Sequence, residues 1–289
     1  MTAVRFVTAK RILTRQKGGF LTQGVYPYTH TLSWAAGCGF GSIYCGKYCY
    51  AAVMPNWLYN KQAGEQWGDA VILKQNAPEL LAVELAKAKN RSEMRIFMSS
   101  VTDPYQPLER KHRLTRRCLD VFAQYDDLDL LVIQTRSPLV IDDAELIASI
   151  PYAWLSMTLE TDLGDLPYGP SSNHVRQRLD AIKTCAEAGV NVQITVSPCL
   201  PYSPEFADVL ANSGAKRVVV DTFVEGDGSS GERTANSPFA EKAGYDWRSG
   251  DPARDLYAAL EAKGVDVGWS ADGFAGIPPR QQMLDLKSG

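Results

Sequence analysis

Three cysteines stand close together in one glycine-rich stretch of the sequence. The segment GCGFGSIYCGKYCYA places Cys38, Cys45 and Cys49 in the spacing C-x6-C-x3-C. It holds half of the six cysteines of this 289-residue chain. Thiolates bind soft metals and iron–sulfur clusters, so the grouping predicts a metal centre in this stretch.

Three kinds of site compete for these cysteines. A structural zinc site usually has four ligands and a C-x2-C pair, and the segment contains no such pair. Three thiolates on a [4Fe–4S] cluster would leave one iron open to a small chelating molecule. The third possibility is a chance group of buried thiols. The cluster is favoured, and the alternative function is a non-catalytic three-cysteine module for metal binding or redox sensing. An ordinary barrel enzyme with structural cysteines ranks last.

The elements that must position these cysteines alternate between strands and helices. Strands are predicted at 31–36, 94–99, 128–134, 153–159, 191–196, 217–221 and 265–270. Helices are predicted at 77–89, 108–125, 142–150, 172–188, 203–213 and 251–263. Apolar strands that alternate with helices predict the α/β class, as a partial (β/α)6 TIM-type barrel of parallel strands. In such barrels the chemistry lies at the C-terminal ends of the strands.

A single domain is predicted over residues 1–289, with a barrel core at about 28–222 and a C-terminal extension at 223–289. Two long segments, 40–79 and 224–250, interrupt the alternation of strands and helices. Loops of this length in a compact domain are usually functional lids or mobile segments, and the second is predicted to be partly flexible.

The charge balance limits the classes of partner. The chain has 30 Lys and Arg against 33 Asp and Glu, a net charge of −3, without the basic surplus typical of nucleic-acid-binding domains. Two local basic clusters occur, one from Lys10 to Lys17 and one from Arg110 to Arg117, and the second is favoured as the solvated face of a helix. No signal-peptide core or membrane-spanning run is evident, so a cytoplasmic protein without a membrane partner is expected, with reduced thiols.

Four stretches of the chain, in order from about residue 9 to 201, resemble the spore-photoproduct-lyase-like branch of the radical S-adenosylmethionine (SAM) superfamily. They are AKRILT with TLSWAAGC and YCYA; MSSVTDPYQPLERKHRLTRRCLDVF; VIQTRSPLVIDD; and LSMTLETD with HVRQRLDAIKTCAEAGVNVQITVSPCLP. The resemblance implies a [4Fe–4S] cluster on Cys38, Cys45 and Cys49 that cleaves bound SAM to a 5′-deoxyadenosyl radical. It also implies an external electron donor of flavodoxin or ferredoxin type. The substrate class that it suggests is a nucleic acid lesion or base.

The sequence departs from this family at the cysteines. The usual spacing is C-x3-C-x2-C, and here the two gaps are longer by three residues and by one. Glycines at 37, 39, 41 and 46 would allow an irregular loop to take up the extra length.

Further roles follow from the same resemblance. Tyr48 would lie against the SAM adenine, with simple packing as the alternative. Candidate contacts to the rest of SAM are Ser99, Ser100, Thr102, Asp103, Arg136, Ser156, Thr158 and Glu160. Of these, Arg136 would face the SAM carboxylate and Glu160 the ribose hydroxyls, with ion pairs as the alternative for both. Tyr50, in a radical relay, and Cys199, over the barrel mouth, are the candidate catalytic residues, although an inert buried thiol is the favoured interpretation of Cys199.

Overall fold

Eleven strands form two sheets in the computed structural model, which describes residues 2–288. The strands are β1 (Ala3–Val7), β2 (Leu13–Arg15), β3 (His30–Leu32), β4 (Ala35–Ala36), β5 (Ala70–Lys74), β6 (Arg95–Met98), β7 (Leu130–Thr135), β8 (Ala153–Thr158), β9 (Asn191–Val196), β10 (Arg217–Val220) and β11 (Val267–Trp269).

The larger sheet has eight strands in the order β11-β10-β9-β8-β7-β6-β3-β2. Seven of them are parallel, and β2 joins the edge antiparallel to β3. Within residues 2–288 no ladder of hydrogen bonds joins β11 to β2. The predicted α/β class with a parallel sheet is confirmed, and the open strand order is consistent with the predicted partial barrel.

Helices follow most of the parallel strands. Those described are α1 (Pro55–Leu58), α2 (Ala77–Lys87), α3 (Glu109–His112), α4 (Leu114–Phe122), α5 (Ala144–Ser149), α6 (Ser172–Glu187), α7 (Phe206–Ala211), α8 (Phe223–Gly226), α9 (Glu232–Ala235), α10 (Asp251–Ala262), α11 (Ser270–Phe274) and α12 (Arg280–Ser288).

The helix predicted at 108–125 is two helices. Arg113 adopts a left-handed conformation with φ 51°, which ends α3 and begins α4. The buried Glu109 carboxylate accepts hydrogen bonds from the backbone N–H groups of Thr115 and Arg116, both at 3.0 Å. A carboxylate at these free N–H groups caps α4, so the break is stabilised by a side chain from within the predicted helix.

The strand predicted at 31–36 is likewise divided. Its first half is β3 in the larger sheet, and its second half is β4 in a three-stranded sheet of order β1-β5-β4. Between the two, Trp34 is fully buried and its indole N–H donates to Thr115 Oγ1 at 2.8 Å. The chain therefore leaves the larger sheet at Trp34, and the cysteine segment follows the smaller sheet.

The segment predicted as a loop at 224–250 has a small core of its own. Phe239 and Trp247 are buried, and Phe239 stacks on Phe223 with ring centroids 4.6 Å apart. Tyr48, from the cysteine segment, packs edge-on against both Phe223 and Phe239. The extension is thereby fixed against the cysteine segment.

Among the residues described, no helix is long and apolar enough to cross a membrane.

The base of the barrel contains a buried ion pair. Arg95, in β6, donates to Asp129 at 2.5 Å and to the carbonyl of Ile277 at 2.6 Å. Asp129 also accepts from the backbone N–H of Arg280 at 2.6 Å, at the start of α12. The pair therefore links the C-terminal residues to β6 and to the residue before β7.

Replacement of Asp129 by alanine leaves the Arg95 charge buried without its partner. We expect Asp129→Ala to lower the free energy of unfolding by about 3–5 kcal/mol. The control is Asp127→Ala, which breaks the more exposed pair with Arg91 and is expected to cost at most about 1 kcal/mol. Urea unfolding followed by circular dichroism measures both, and equal losses would contradict the role assigned to Asp129.

Candidate functional site

A cavity of about 380 Å³, called here the main cavity, opens at the C-terminal ends of the parallel strands. Ser99 follows β6, Arg136 follows β7, Ser197 follows β9 and Asp221 follows β10, and all four line it. This is the end of a parallel barrel at which side chains from different strands converge. The position of the cavity agrees with the expectation from the sequence.

The three clustered cysteines line this same cavity. Cys38 follows β4, Cys45 lies in the 3-10 turn Tyr44–Lys47, and Cys49 precedes the 3-10 turn Tyr50–Val53. Cys199 does not line the cavity, and its N–H donates to the Asp221 carbonyl at 2.9 Å. The topology therefore brings together the three cysteines of the motif and leaves Cys199 outside.

The thiols are held in surroundings that oppose their ionisation. Burial, and then the nearby Asp103 and Cys45, raise the pKa of Cys38. Burial raises the pKa of Cys45 to about 12, although the Arg136 guanidinium opposes the shift. A bound metal cation deprotonates thiols directly, so a cationic centre would relieve this repulsion.

The three thiols are compatible with an iron–sulfur cluster. In residues 2–288 no three His, Cys, Asp or Glu side chains converge closely enough to hold one metal ion. The thiolates of an iron–sulfur cubane bind separate irons and need not converge on one point. Three thiols that line one cavity could hold a cluster in which one iron has no protein ligand.

The long gap between Cys38 and Cys45 is folded back on itself. A Cβ atom at Gly46 would lie 1.8 Å from the carbonyl oxygen of Gly41, so no other residue fits at position 46 without movement of the loop. Gly41 is in turn packed against Gly68, which has φ +99°. Glycines therefore absorb the extra length, as the sequence predicts.

A side-chain clamp holds the backbone on both sides of Cys38. Gln106 accepts from the N–H of Gly39 at 2.7 Å and donates to Thr102 Oγ1 at 3.0 Å. Thr102 donates to the carbonyl of Gly37 at 2.7 Å. Thr102 was predicted as a SAM contact, but its hydroxyl is used in this clamp. Gln106 was not predicted, although it lies in the TDPYQP stretch that carries the resemblance.

Two polar side chains in the cavity have unpartnered atoms. Ser99 is buried with φ 70°, and its Oγ has no hydrogen-bond partner. Gln134, at the end of β7, donates to Thr158 at 2.7 Å and Thr195 at 2.9 Å, while its Oε1 has no partner. Buried polar atoms are normally paired, so these two indicate a polar ligand. Gln134 was not predicted as a site residue. The only indication in the sequence is that an amide side chain follows four apolar residues in the strand LLVIQT.

Asp103 lines the cavity, but its oxygens are already occupied. It accepts from the Thr135 hydroxyl at 2.6 Å and from the backbone N–H groups of Tyr105 at 2.8 Å and Arg136 at 2.9 Å. Burial raises its pKa and these hydrogen bonds oppose the shift. These contacts fix the start of the segment that carries Arg136.

Glu160 lies behind the cavity wall and not in it. It has no exposed surface and pairs with Arg136 and Arg178, each at 2.5 Å, while Tyr44 donates to it at 3.3 Å. Burial would raise its pKa, but the two guanidiniums hold that pKa below its usual value. The ion pair considered from the sequence is present, and both carboxylate oxygens are engaged.

The remaining predicted residues divide between the cavity and the interior. Thr158, Ser100 and Tyr50 line the cavity, and the Tyr50 hydroxyl donates to the Ser100 carbonyl. Ser156 lies deeper in the barrel, where it accepts from Gln193 at 2.8 Å. Tyr48 is packed among aromatic rings and does not line the cavity.

The C-terminal extension completes the mouth of the cavity. Gly226, Asp227, Gly228 and Arg233 line it from one side. Arg233 is held by a 2.6 Å hydrogen bond to the Asp227 carbonyl. From the sequence this segment was predicted only as a functional lid or a mobile, partly flexible loop, and none of these residues was indicated.

Comparison with known proteins gives one sequence relative. No family model matches the chain. The uncharacterized protein MJ0683 of Methanocaldococcus jannaschii is 34% identical over 167 residues, which are 56% of this chain and 58% of that protein. The chain thus matches somewhat over half the length of this curated relative.

The fold is that of spore photoproduct lyase. A variant of that lyase with bound AdoMet and dinucleoside spore photoproduct superposes with a TM-score of 0.56 at 15% identity, over 91% of this chain and 81% of that one. A second variant, with the dinucleoside spore photoproduct alone, gives 0.55 at 14% identity over the same shares of the two chains. The likeness extends well beyond the 9–201 range in which the sequence resemblance was found.

Asp221 gives a prediction on pH dependence. Burial raises the pKa of Asp221 to about 7. Hydrogen bonds from Ser270, the Thr222 N–H and the Ser197 hydroxyl oppose this shift. An unfolded Asp releases its proton near pH 4, so between about pH 4 and 7 the folded state binds more protons and loses stability as pH rises.

Asp221→Asn removes this titration, and its amide can still accept from Thr222 and donate to Ser197. We expect the difference in Tm, variant minus wild type, to be larger at pH 8 than at pH 5, because only the wild type loses the contribution of the protonated Asp221 as pH rises. Thermal unfolding of both proteins at the two pH values measures this, and a difference in Tm that does not change with pH would refute it.

Proposed function

We propose that this chain is a radical SAM enzyme in which Cys38, Cys45 and Cys49 hold a [4Fe–4S] cluster and the main cavity binds SAM. One observation carries the proposal. The three thiols share a cavity with the unpartnered Ser99 Oγ and Gln134 Oε1, at the C-terminal end of the barrel. The likeness to a lyase with bound AdoMet supports the same cofactor here.

The cofactors would supply chemistry that side chains cannot. When bound and reduced, the cluster would provide the one electron that cleaves SAM to methionine and a 5′-deoxyadenosyl radical. The chain's own work is to hold the thiolates, orient SAM and keep water from the reacting atoms. An external donor of flavodoxin or ferredoxin type is the partner this activity requires.

Polar side chains at the strand ends would orient SAM. Gln134 Oε1 is an acceptor for an ammonium or a ribose hydroxyl, and Ser99 Oγ can accept or donate. The Arg136 guanidinium lines the cavity with one Nη held by Glu160, which leaves its other donors for a carboxylate. Asp103 and Glu160 would then be positioning residues that fix Arg136.

The far side of the cavity favours a flat, partly apolar substrate. Phe20, Phe97 and Phe274 line it, and the rings of Phe20 and Phe274 meet edge-on at 5.4 Å. Arg233 adds a cation at the mouth. Aromatic walls with a nearby cation suit a nucleobase and its phosphate. Tyr50 lines the cavity and remains the candidate for a radical relay, whereas the position of Cys199 favours a packing role.

The proposal predicts deoxyadenosine formation that depends on the motif cysteines. After anaerobic reconstitution with iron and sulfide, wild type should form 5′-deoxyadenosine from SAM and dithionite. Cys45→Ala should lose the cluster absorbance and the product together. Cys185→Ala, which removes a thiol in the core away from the cavity, should retain both. Chromatography of the reaction and iron analysis measure the outcome.

Two results would refute this function. A wild-type protein that binds no iron–sulfur cluster would favour the non-catalytic metal module, and zinc binding by the same cysteines would confirm that alternative. A cluster that forms but yields no deoxyadenosine would point to redox sensing.

The clamp around Cys38 predicts a second effect. Gln106→Leu leaves the Gly39 N–H without its acceptor, at a cost of about 1–3 kcal/mol in unfolding free energy. Because the clamp fixes both neighbours of Cys38, we also expect faster loss of iron from the reconstituted variant on exposure to a chelator. The control is Gln124→Leu, an exposed residue on the outer surface. Equal iron retention in both variants would contradict a role for the clamp in holding the cluster.

A further inference from the structure

A second cavity, of about 310 Å³, lies on the other side of the cysteine segment. Its wall contains Phe40, Ile43 and Tyr44, which belong to the lengthened gap between Cys38 and Cys45. Arg110, the first residue of the second basic cluster, stands at its rim. Two features of the sequence that the proposed function does not use therefore meet at one place.

The second cavity is strongly cationic. Arg110, Arg136 and Arg178 all line it, and no carboxylate of the described residues does. Glu160 lies behind the wall and neutralises one of these three charges. The two uncompensated guanidiniums favour a negatively charged ligand.

One buried donor in the second cavity lacks a partner. Arg178 is 2% exposed, and its Nη1 donates to Glu160 and to the Thr158 carbonyl at 2.9 Å. Its Nε donates to the His174 carbonyl at 3.3 Å, and its Nη2 has no partner. A buried donor left unpaired costs about 1–3 kcal/mol, which an oxygen ligand would recover.

Apolar side chains form part of the remaining wall. Phe40, Ile43, Pro138 and Leu139 line the cavity, together with the polar Ser137, His174 and Gln177. A free inorganic ion would leave these walls against water, whereas an apolar group attached to the anion would cover them. The cavity thus matches a compact molecule with one charged and one apolar end.

We infer that the second cavity binds a small organic oxyanion, a phosphate or carboxylate carried on an apolar group. Arg178 and Arg136 bind its oxygens, Arg110 closes over it from the rim, and the gap residues contact its body. The site is distinct from the cysteines' cavity, and of their lining residues Phe40 and Arg136 face both. The inference does not rest on the proposed function, because it concerns the chain without any cluster.

The test uses the purified full-length chain and two probes, phenyl phosphate and benzoate, with benzyl alcohol as the uncharged control. Calorimetric titration should show at least one anion binding with a dissociation constant of about 1 mM or below. Benzyl alcohol should not bind detectably. The preferred probe distinguishes a phosphate from a carboxylate ligand.

Two variants locate the binding. Arg110→Gln should weaken it about threefold, the value of an exposed charge. Leu139→Trp should abolish it by filling the cavity. Lys111→Gln, the adjacent cation that does not line the cavity, should leave it unchanged.

Three outcomes would overturn the inference: no binding of either anion, equal binding of benzyl alcohol, or equal effects of Arg110→Gln and Lys111→Gln. Circular dichroism checks the folding of Leu139→Trp. Should that variant not fold, the exposed Arg110→Gln decides the question alone, since Arg110 has no part in the core.

Discussion

The Glu160 carboxylate lies without exposed surface between the guanidiniums of Arg136 and Arg178, and it accepts a hydrogen bond from Tyr44. These contacts join the end of β8 to the residue after β7, to α6 and to the cysteine segment. A buried carboxylate without such partners would take up a proton or destabilise the fold. The ion-pair network therefore stabilises the protein between the two cavities and fixes the orientation of the Arg136 side chain.

A second constraint comes from the C-terminal extension. Its rings pack on Tyr48, between Cys45 and Cys49, so the cysteine segment is held from outside as well as from the barrel. The same extension supplies Asp227 and Arg233 to the mouth of the main cavity. Folding of the extension and completion of the site are thus linked, and a chain cut at the end of β10 would lose both contacts.

The sequence predicted the parallel strands and their order along the chain, because buried strands of a parallel sheet are nearly all apolar and periodic helices separate them. It missed the division at Trp34, where an indole bonds a residue distant in the chain, and the break at Arg113, where a local carboxylate caps α4. In the site, the sequence predicted which residues lie at the strand ends but not most of the hydrogen bonds that their side chains make. Asp103 and Glu160 proved to be fully hydrogen-bonded, while Gln134 gave no periodic signal.

The altered cysteine spacing is best understood through the loop that contains it. A cluster would need its three cysteine sulfurs close together. Extra residues between the cysteines are tolerated as long as the backbone can fold back and bring the sulfurs together. Here Gly41, in the first gap, packs against Gly46, just after Cys45, so the backbone turns back around Cys45. Of the residues in this gap, Ile43 and Tyr44 line the second cavity and Phe40 lines both cavities. The lengthened segment thus places its three thiols in the main cavity and also contributes side chains to the wall of the second cavity.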